Sequence, residues 1–185
     1  MTAHHGCAVL LVEAMGVDAA DQSRMVEDAW LDTASALAAS PGRPLRASLL
    51  GAVVRRLPVA GNLGGDTAEF EELAAGRFFC PPDDRWAGWW NISVPLWPAD
   101  WSAGRDQVLN ALWRLPKSQR LLLVLRDAAR LPANEVTEMV GLVPEAQAPL
   151  LDVARQAYVQ YLDEEFQADI ERMPTDRRQE DGGGR

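Results

Sequence analysis

Between Asn110 and Tyr161 the chain carries leucine, valine and methionine at spacings of three and four residues, broken by one glycine. Few folds accept that pattern, because the spacing draws one apolar stripe along a helix and the stripe needs another helix to cover it. The stripe runs first through Leu112, Leu115, Leu121, Leu122 and Leu125, and then through Leu131, Val136, Met139 and Val140. Gly141 follows where a helix C-cap belongs, and from there Leu142 can fold back onto Val136 or Met139. A further helix is expected over residues 144–162. Helix, glycine turn and helix make a helix-turn-helix, the simplest unit able to set a helix in a DNA major groove.

The N-terminal part is helical by the same reasoning. Ala8 to Met15 is a short apolar segment closed by Gly16. Asp18 or Asp21 can cap a helix that places Met25, Ala29, Trp30, Leu31, Ala34 and Leu37 on one side. Ser40-Pro41-Gly42 ends it, and Pro44 opens a third helix, LRASLLGAVVRRL, up to Pro58. A unit of about 55 residues is near the lower limit for independent folding, so it is expected to lean on a partner or on the rest of the chain.

Residues 59–104 break the helical rhythm with glycines at 61, 64 and 65, an acidic piece, and five tryptophans (Trp86, Trp89, Trp90, Trp97, Trp101) among prolines. Two readings stand: a linker whose indoles pack over both helical units, or a groove that binds a ligand or partner. From Met173 the sequence is charged, polar and glycine-rich, which predicts a disordered tail over 173–185. The expected organisation is therefore all-α, with a helical domain at 1–58, the linker at 59–104 and a helix-turn-helix domain at 105–172.

Composition limits the chemistry. The formal net charge is −9, which opposes a protein that holds DNA mainly through phosphate contacts. Two cysteines, Cys7 and Cys80, are too few for a disulfide framework or a four-ligand zinc site, and a reducing, cytoplasmic setting fits. No run approaches the roughly 18 apolar residues of a membrane span. There is no phosphate-cradling glycine loop, HExxH or GxSxG, and pairs such as Glu71-Glu72 and Asp83-Asp84 are adjacent in sequence and so do not share a helix face. No catalytic residue, cofactor or metal is expected. His4, with His5 and Cys7 nearby, stands third from the free amine if Met1 is removed, a geometry that binds copper or nickel; a frayed N-terminus is the competing reading.

The phrase LWRLPKSQRLLLVLRDAARLPANEVTEMVGL resembles the fourth region of bacterial sigma factors of the extracytoplasmic-function group. DQSRMVEDAWLDTASALA is similar to the helix of the second region that docks on the polymerase clamp, and PLRASLLGAVVRRL to the helix that reads the promoter minus-ten element. The resemblance implies core RNA polymerase as partner, promoter DNA as a target, and an anti-sigma or other protein as regulator. It assigns polymerase binding to Asp21, Arg24, Glu27 and Asp28, and DNA binding to Arg46, Arg55, Arg56, Gln147 and Arg155.

Departures from the family pattern bear on mechanism. Ala148, Pro149, Asp152 and Val153 fall where DNA-facing basic or polar residues belong, and Asp152 brings the wrong sign to phosphate. Pro149 is compatible with a helix that begins there and costs about 3 kcal/mol or more in an interior turn. Asp163, Glu164 and Glu165 stand at a commonly basic end. Arg24 occupies a usually acidic place, Ser48 a common tryptophan, and Pro58 cuts short a usually extended basic stretch. Two functions follow: a divergent sigma factor that reads promoters weakly by itself, or a sigma-derived interaction module that no longer binds DNA. A third role is open for Leu150, Leu151, Tyr158 and Tyr161, which form either an exposed contact surface or core packing against Leu121 and Leu125.

Overall fold

The computed structural model describes residues 2–57 and 103–172, and every regular element among them is helical. The tail and all of the linker except Ala103 and Gly104 lie outside the described residues, as do both readings of the tryptophans.

Helix α1 spans Thr2–Ala14 and buries Ala8, Leu11, Val12 and Ala14. Its start at Thr2 replaces the frayed terminus with helix, and His4 Nδ1 accepts a 3.5 Å hydrogen bond from Arg46 Nε. Among the described residues no group of three or more His, Cys, Asp or Glu side chains could hold a metal.

Gly16, at φ +72°, turns the chain into α2, Ala19–Ala39. The Asp18 carbonyl accepts the N–H groups of Asp21 and Gln22, while the Asp18 carboxylate makes no capping bond. Of the expected side of α2, Ala29 is buried and Met25 and Trp30 pack against the core, but Val26 and Thr33 complete the buried stripe and Leu31 and Ala34 are exposed. At about 100° per residue, Leu31 stands roughly opposite Ala29, and it is 68% exposed.

Helix α3, Leu45–Val54, is the central one. Leu49 through Val54 are all buried, as expected of a helix apolar on every side. A Cβ on Gly51 would lie 3.7 Å from Met139, so α3 packs on the helix-turn-helix itself.

The first half of the long apolar pattern is not one helix. Helix α4, Arg105–Arg114, stops at Leu115, which is extended (φ −72°, ψ 147°) because Pro116 disfavours a helical predecessor. Helix α5, Lys117–Leu123, then runs into a π-helical segment, Val124–Ala128, closed by Ala129 N–H on the Val124 carbonyl at 2.8 Å. Arg130, at φ 53°, ends it.

Helix α6, Ala133–Val140, stops at Gly141 (φ 75°), and α7 runs from Pro144 to Arg172. The start at Pro144 is the one expected, and Pro149 is therefore an interior residue, at the costlier of the two positions open to it. Buried Gln147, Leu150 and Leu151 flank it, and their packing offsets the lost backbone hydrogen bond.

One buried cluster takes side chains from α1, α2, α3, α4, α5, the π segment, α6 and α7. Leu150 and Leu151 belong to it, and Tyr158 and Tyr161 pack against it, which is the core reading of that group. The N-terminal helices lean on the rest of the chain through buried Arg120, whose guanidinium donates to the carbonyls of Ala14 (2.9 Å), Trp113 (2.6 Å) and Leu115 (2.8 Å). Trp113 Nε1 donates to the Glu13 carbonyl at 3.0 Å, and Arg105 pairs with the Glu13 carboxylate. No helix among the described residues is long and apolar enough to cross a membrane.

Candidate nucleic-acid and partner faces

The turn between α6 and α7 is built around Gln147. Only 2% of this residue is exposed, and its Nε2 lies 3.0 Å from the Ala133 carbonyl, 3.0 Å from Thr137 Oγ1 and 2.7 Å from the Leu142 carbonyl. Thr137 Oγ1 also reaches the Leu142 carbonyl, at 2.8 Å. Gly141 supplies the left-handed residue, its N–H on the Thr137 carbonyl at 2.8 Å, and Leu142 tucks against the core. This placement does not fit Gln147 as a DNA contact, since its amide closes the turn from inside. Sequence spacing could not distinguish the roles, because the side chain lies only a few residues past the turn it closes.

Arg155 is held as firmly. Its Nε and Nη2 meet both carboxylate oxygens of Asp127, at 2.8 and 2.7 Å, and Nη1 reaches Asp152 at 3.3 Å. The guanidinium is pushed above its ordinary range first by the Asp127 hydrogen bond and then by the charges of both carboxylates, against some loss of hydration. Around it the outer face of α7 presents exposed Glu145, Ala148, Pro149 and Asp152, with Val143 54% exposed at the turn. Exposed Glu138 of α6 adds to the same sign. Phosphate meets an acidic surface whose cation already has partners.

The arginines of the N-terminal helices are engaged elsewhere, Arg55 excepted. Arg46 is partly buried and donates to the Ala129 carbonyl at 3.0 Å, across to the end of the π segment. Arg56 pairs with Asp32 at 2.6 Å and donates to the Ala52 and Asp28 carbonyls. That pair holds the Asp32 carboxyl below its ordinary value, through the hydrogen bond first. Arg55 is exposed and, among the described residues, has no hydrogen bond or ion pair. Of the five residues assigned to DNA, it alone is an exposed side chain with no hydrogen bond or ion pair among the described residues.

The candidate polymerase residues do gather. Asp21, Arg24 and Asp28 line an open cleft of about 510 Å³ with Asp18, Arg56 and Lys117, where the α1–α2 turn, α2, the end of α3 and the start of α5 meet. Arg24 pairs with Asp21 at 2.6 Å one helical turn away. Glu27 is exposed on α2 outside that lining. Lys117, the one lysine of the sequence, and Asp127 are the members that sequence reasoning missed. No local signal marks either, since each meets its neighbours only through tertiary packing.

No family model, curated protein or solved structure matches the chain.

Proposed function

We propose that this chain is a sigma-like transcription regulator of the cytoplasm that joins core RNA polymerase and directs promoter-specific initiation with weak DNA reading of its own. The observation that carries the reading is a kept α6–Gly141–α7 scaffold whose outer helix is acidic and whose Arg155 is bound by Asp127 and Asp152. A reader so equipped gains little from phosphate and needs a partner to bring it to DNA. The resemblance assigns polymerase to Asp21, Arg24, Glu27 and Asp28, and three of these, Asp21, Arg24 and Asp28, line one charged cleft.

The test joins two measurements on the full chain. Tagged protein retrieves the polymerase core subunits from lysate, and the reconstituted complex starts transcription at discrete sites on a genomic template library, while the protein alone shows no steeply salt-dependent DNA affinity. Absence of core subunits from the retrieved material sinks the reading.

A second reading, a sigma-derived adaptor or anti-activator that no longer binds DNA, is favoured by the exposed Val143 at the α6–α7 turn and the exposed Glu138, Glu145 and Asp152 of the two helices, groups suited to a basic protein segment. It predicts retrieval of a partner together with no specific initiation.

A further inference from the structure

A cavity of about 360 Å³ opens between α1, α4, the π segment and α7. Leu10, Leu112, Leu123, Val124, Tyr158 and Val159 give it an almost wholly apolar wall. Of its lining residues, the exposed ones are Asp127, Ala128 and Arg155, which places the mouth at the end of the π segment facing α7. The wall is not an incidental gap between regular helices. Two of its residues, Val124 and Ala128, bound the π segment, and such interruptions of the helical ladder recur at functional sites.

From these features we propose that the cavity binds a neutral small molecule with an aliphatic or aromatic body and one hydrogen-bonding head at the mouth. The apolar wall selects the body, as in ligand pockets generally, where a few polar groups set orientation. The mouth selects the charge. Asp127 engages Arg155 through both oxygens and Asp152 adds a second carboxylate, so two negative groups surround one guanidinium. An anionic head meets net repulsion and finds Arg155 already taken. A cationic head would meet the same excess of one negative charge, but it comes from Asp152, whose side chain is 66% exposed, so the pairing contributes little and does not offset the cost of dehydrating the head. A hydroxyl or amide avoids both costs and can still hydrogen-bond at the rim.

Because α1, α4 and α7 all contribute to the wall, the ligand ties the N-terminal helices to the helix-turn-helix. Occupancy thus stabilises the conformation in which Arg46 and Arg155 are engaged. This site is independent of whether the chain joins polymerase, and its test needs no polymerase.

The full chain is titrated with N-phenyl-1-naphthylamine, a neutral probe that fluoresces in apolar surroundings, and the probe is then displaced with n-decanol, decanoate or n-decylamine. Saturable binding at one site is expected, with decanol displacing at concentrations about tenfold lower than either charged analogue. Ala128→Trp, which plugs the mouth from an exposed position, and Val159→Phe, which fills the cavity from α7, each weaken probe binding by about tenfold while the helical circular dichroism is retained. Should one variant fail to fold, the other decides. The proposal is overturned by lack of saturable binding, by unchanged binding in a folded variant, or by a charged analogue that displaces as well as decanol.

Discussion

Arg155 of α7 and Asp127 of the π segment form a two-pronged ion pair, Nε to Oδ2 at 2.8 Å and Nη2 to Oδ1 at 2.7 Å, across 28 residues of sequence. The pair takes the one cation in the first half of α7 out of reach of a phosphate backbone and fixes α7 against the end of the π segment. In Asp127→Asn the carboxylate charge is lost and Arg155 keeps only its longer, exposed contact to Asp152. The slope of log affinity for duplex DNA against log salt should steepen by about one unit, with stability changed by no more than about 1 kcal/mol because both side chains are partly exposed. An unchanged slope would show that Arg155 is not what limits DNA contact.

Gln147→Ala removes the amide that joins Ala133, Thr137 and Leu142. A loss of about 1 to 3 kcal/mol is expected in urea unfolding, since buried acceptors lose their donor. A residue poised for DNA would leave the isolated protein's stability nearly unaltered, so the same measurement separates the two roles.

For Arg120 the expected cost is larger. Its guanidinium is buried against carbonyls only, and burial lowers its pKa without a carboxylate to compensate. Arg120→Met keeps much of the length but leaves the Ala14, Trp113 and Leu115 carbonyls without this donor, for a loss of roughly 3 kcal/mol in thermal or urea unfolding. The ends of α1 and α4, which those carbonyls terminate, should show faster amide exchange than α7.

Pro149→Ala should stabilise. It restores an N–H at an exposed interior position of α7, and relief of roughly 2 kcal/mol is expected from the proline penalty, read as a higher urea midpoint. A lower midpoint would mean that the ring itself packs favourably.

Tyr158 sets an alkaline limit. Burial pushes its hydroxyl above the ordinary value of 10.0. The folded state therefore holds the proton more tightly than the unfolded chain. This contribution to stability is complete below the unfolded value and is lost as pH rises from about 10 through the higher folded value. Tyr158→Phe should flatten that part of the stability profile.

Local sequence rules specified a good deal of this molecule. Three-and-four spacing marked α3 and α6, Gly141 marked the turn between α6 and α7, and Pro44 and Gly16 marked boundaries, because each acts through backbone geometry within a few residues. The same spacing misplaced the inner side of α2, where Leu31 points outward, since a helix with apolar residues on two sides does not say which one finds a partner. It also joined α4 to α5 across Pro116, because side-chain periodicity continues over a break in the backbone.

The chain by itself determined an all-helical architecture with a helix-turn-helix and an acidic seventh helix. Only the tertiary structure decided that Gln147 faces inward, that Arg155 is taken by Asp127, that Arg120 secures α1, and that a π segment borders an apolar cavity. The physical reason is common to the three polar side chains. A guanidinium or amide is long and polar enough to serve solvent, phosphate or a distant carbonyl equally well, and its choice is made by which acceptors the packed helices bring within about 3 Å.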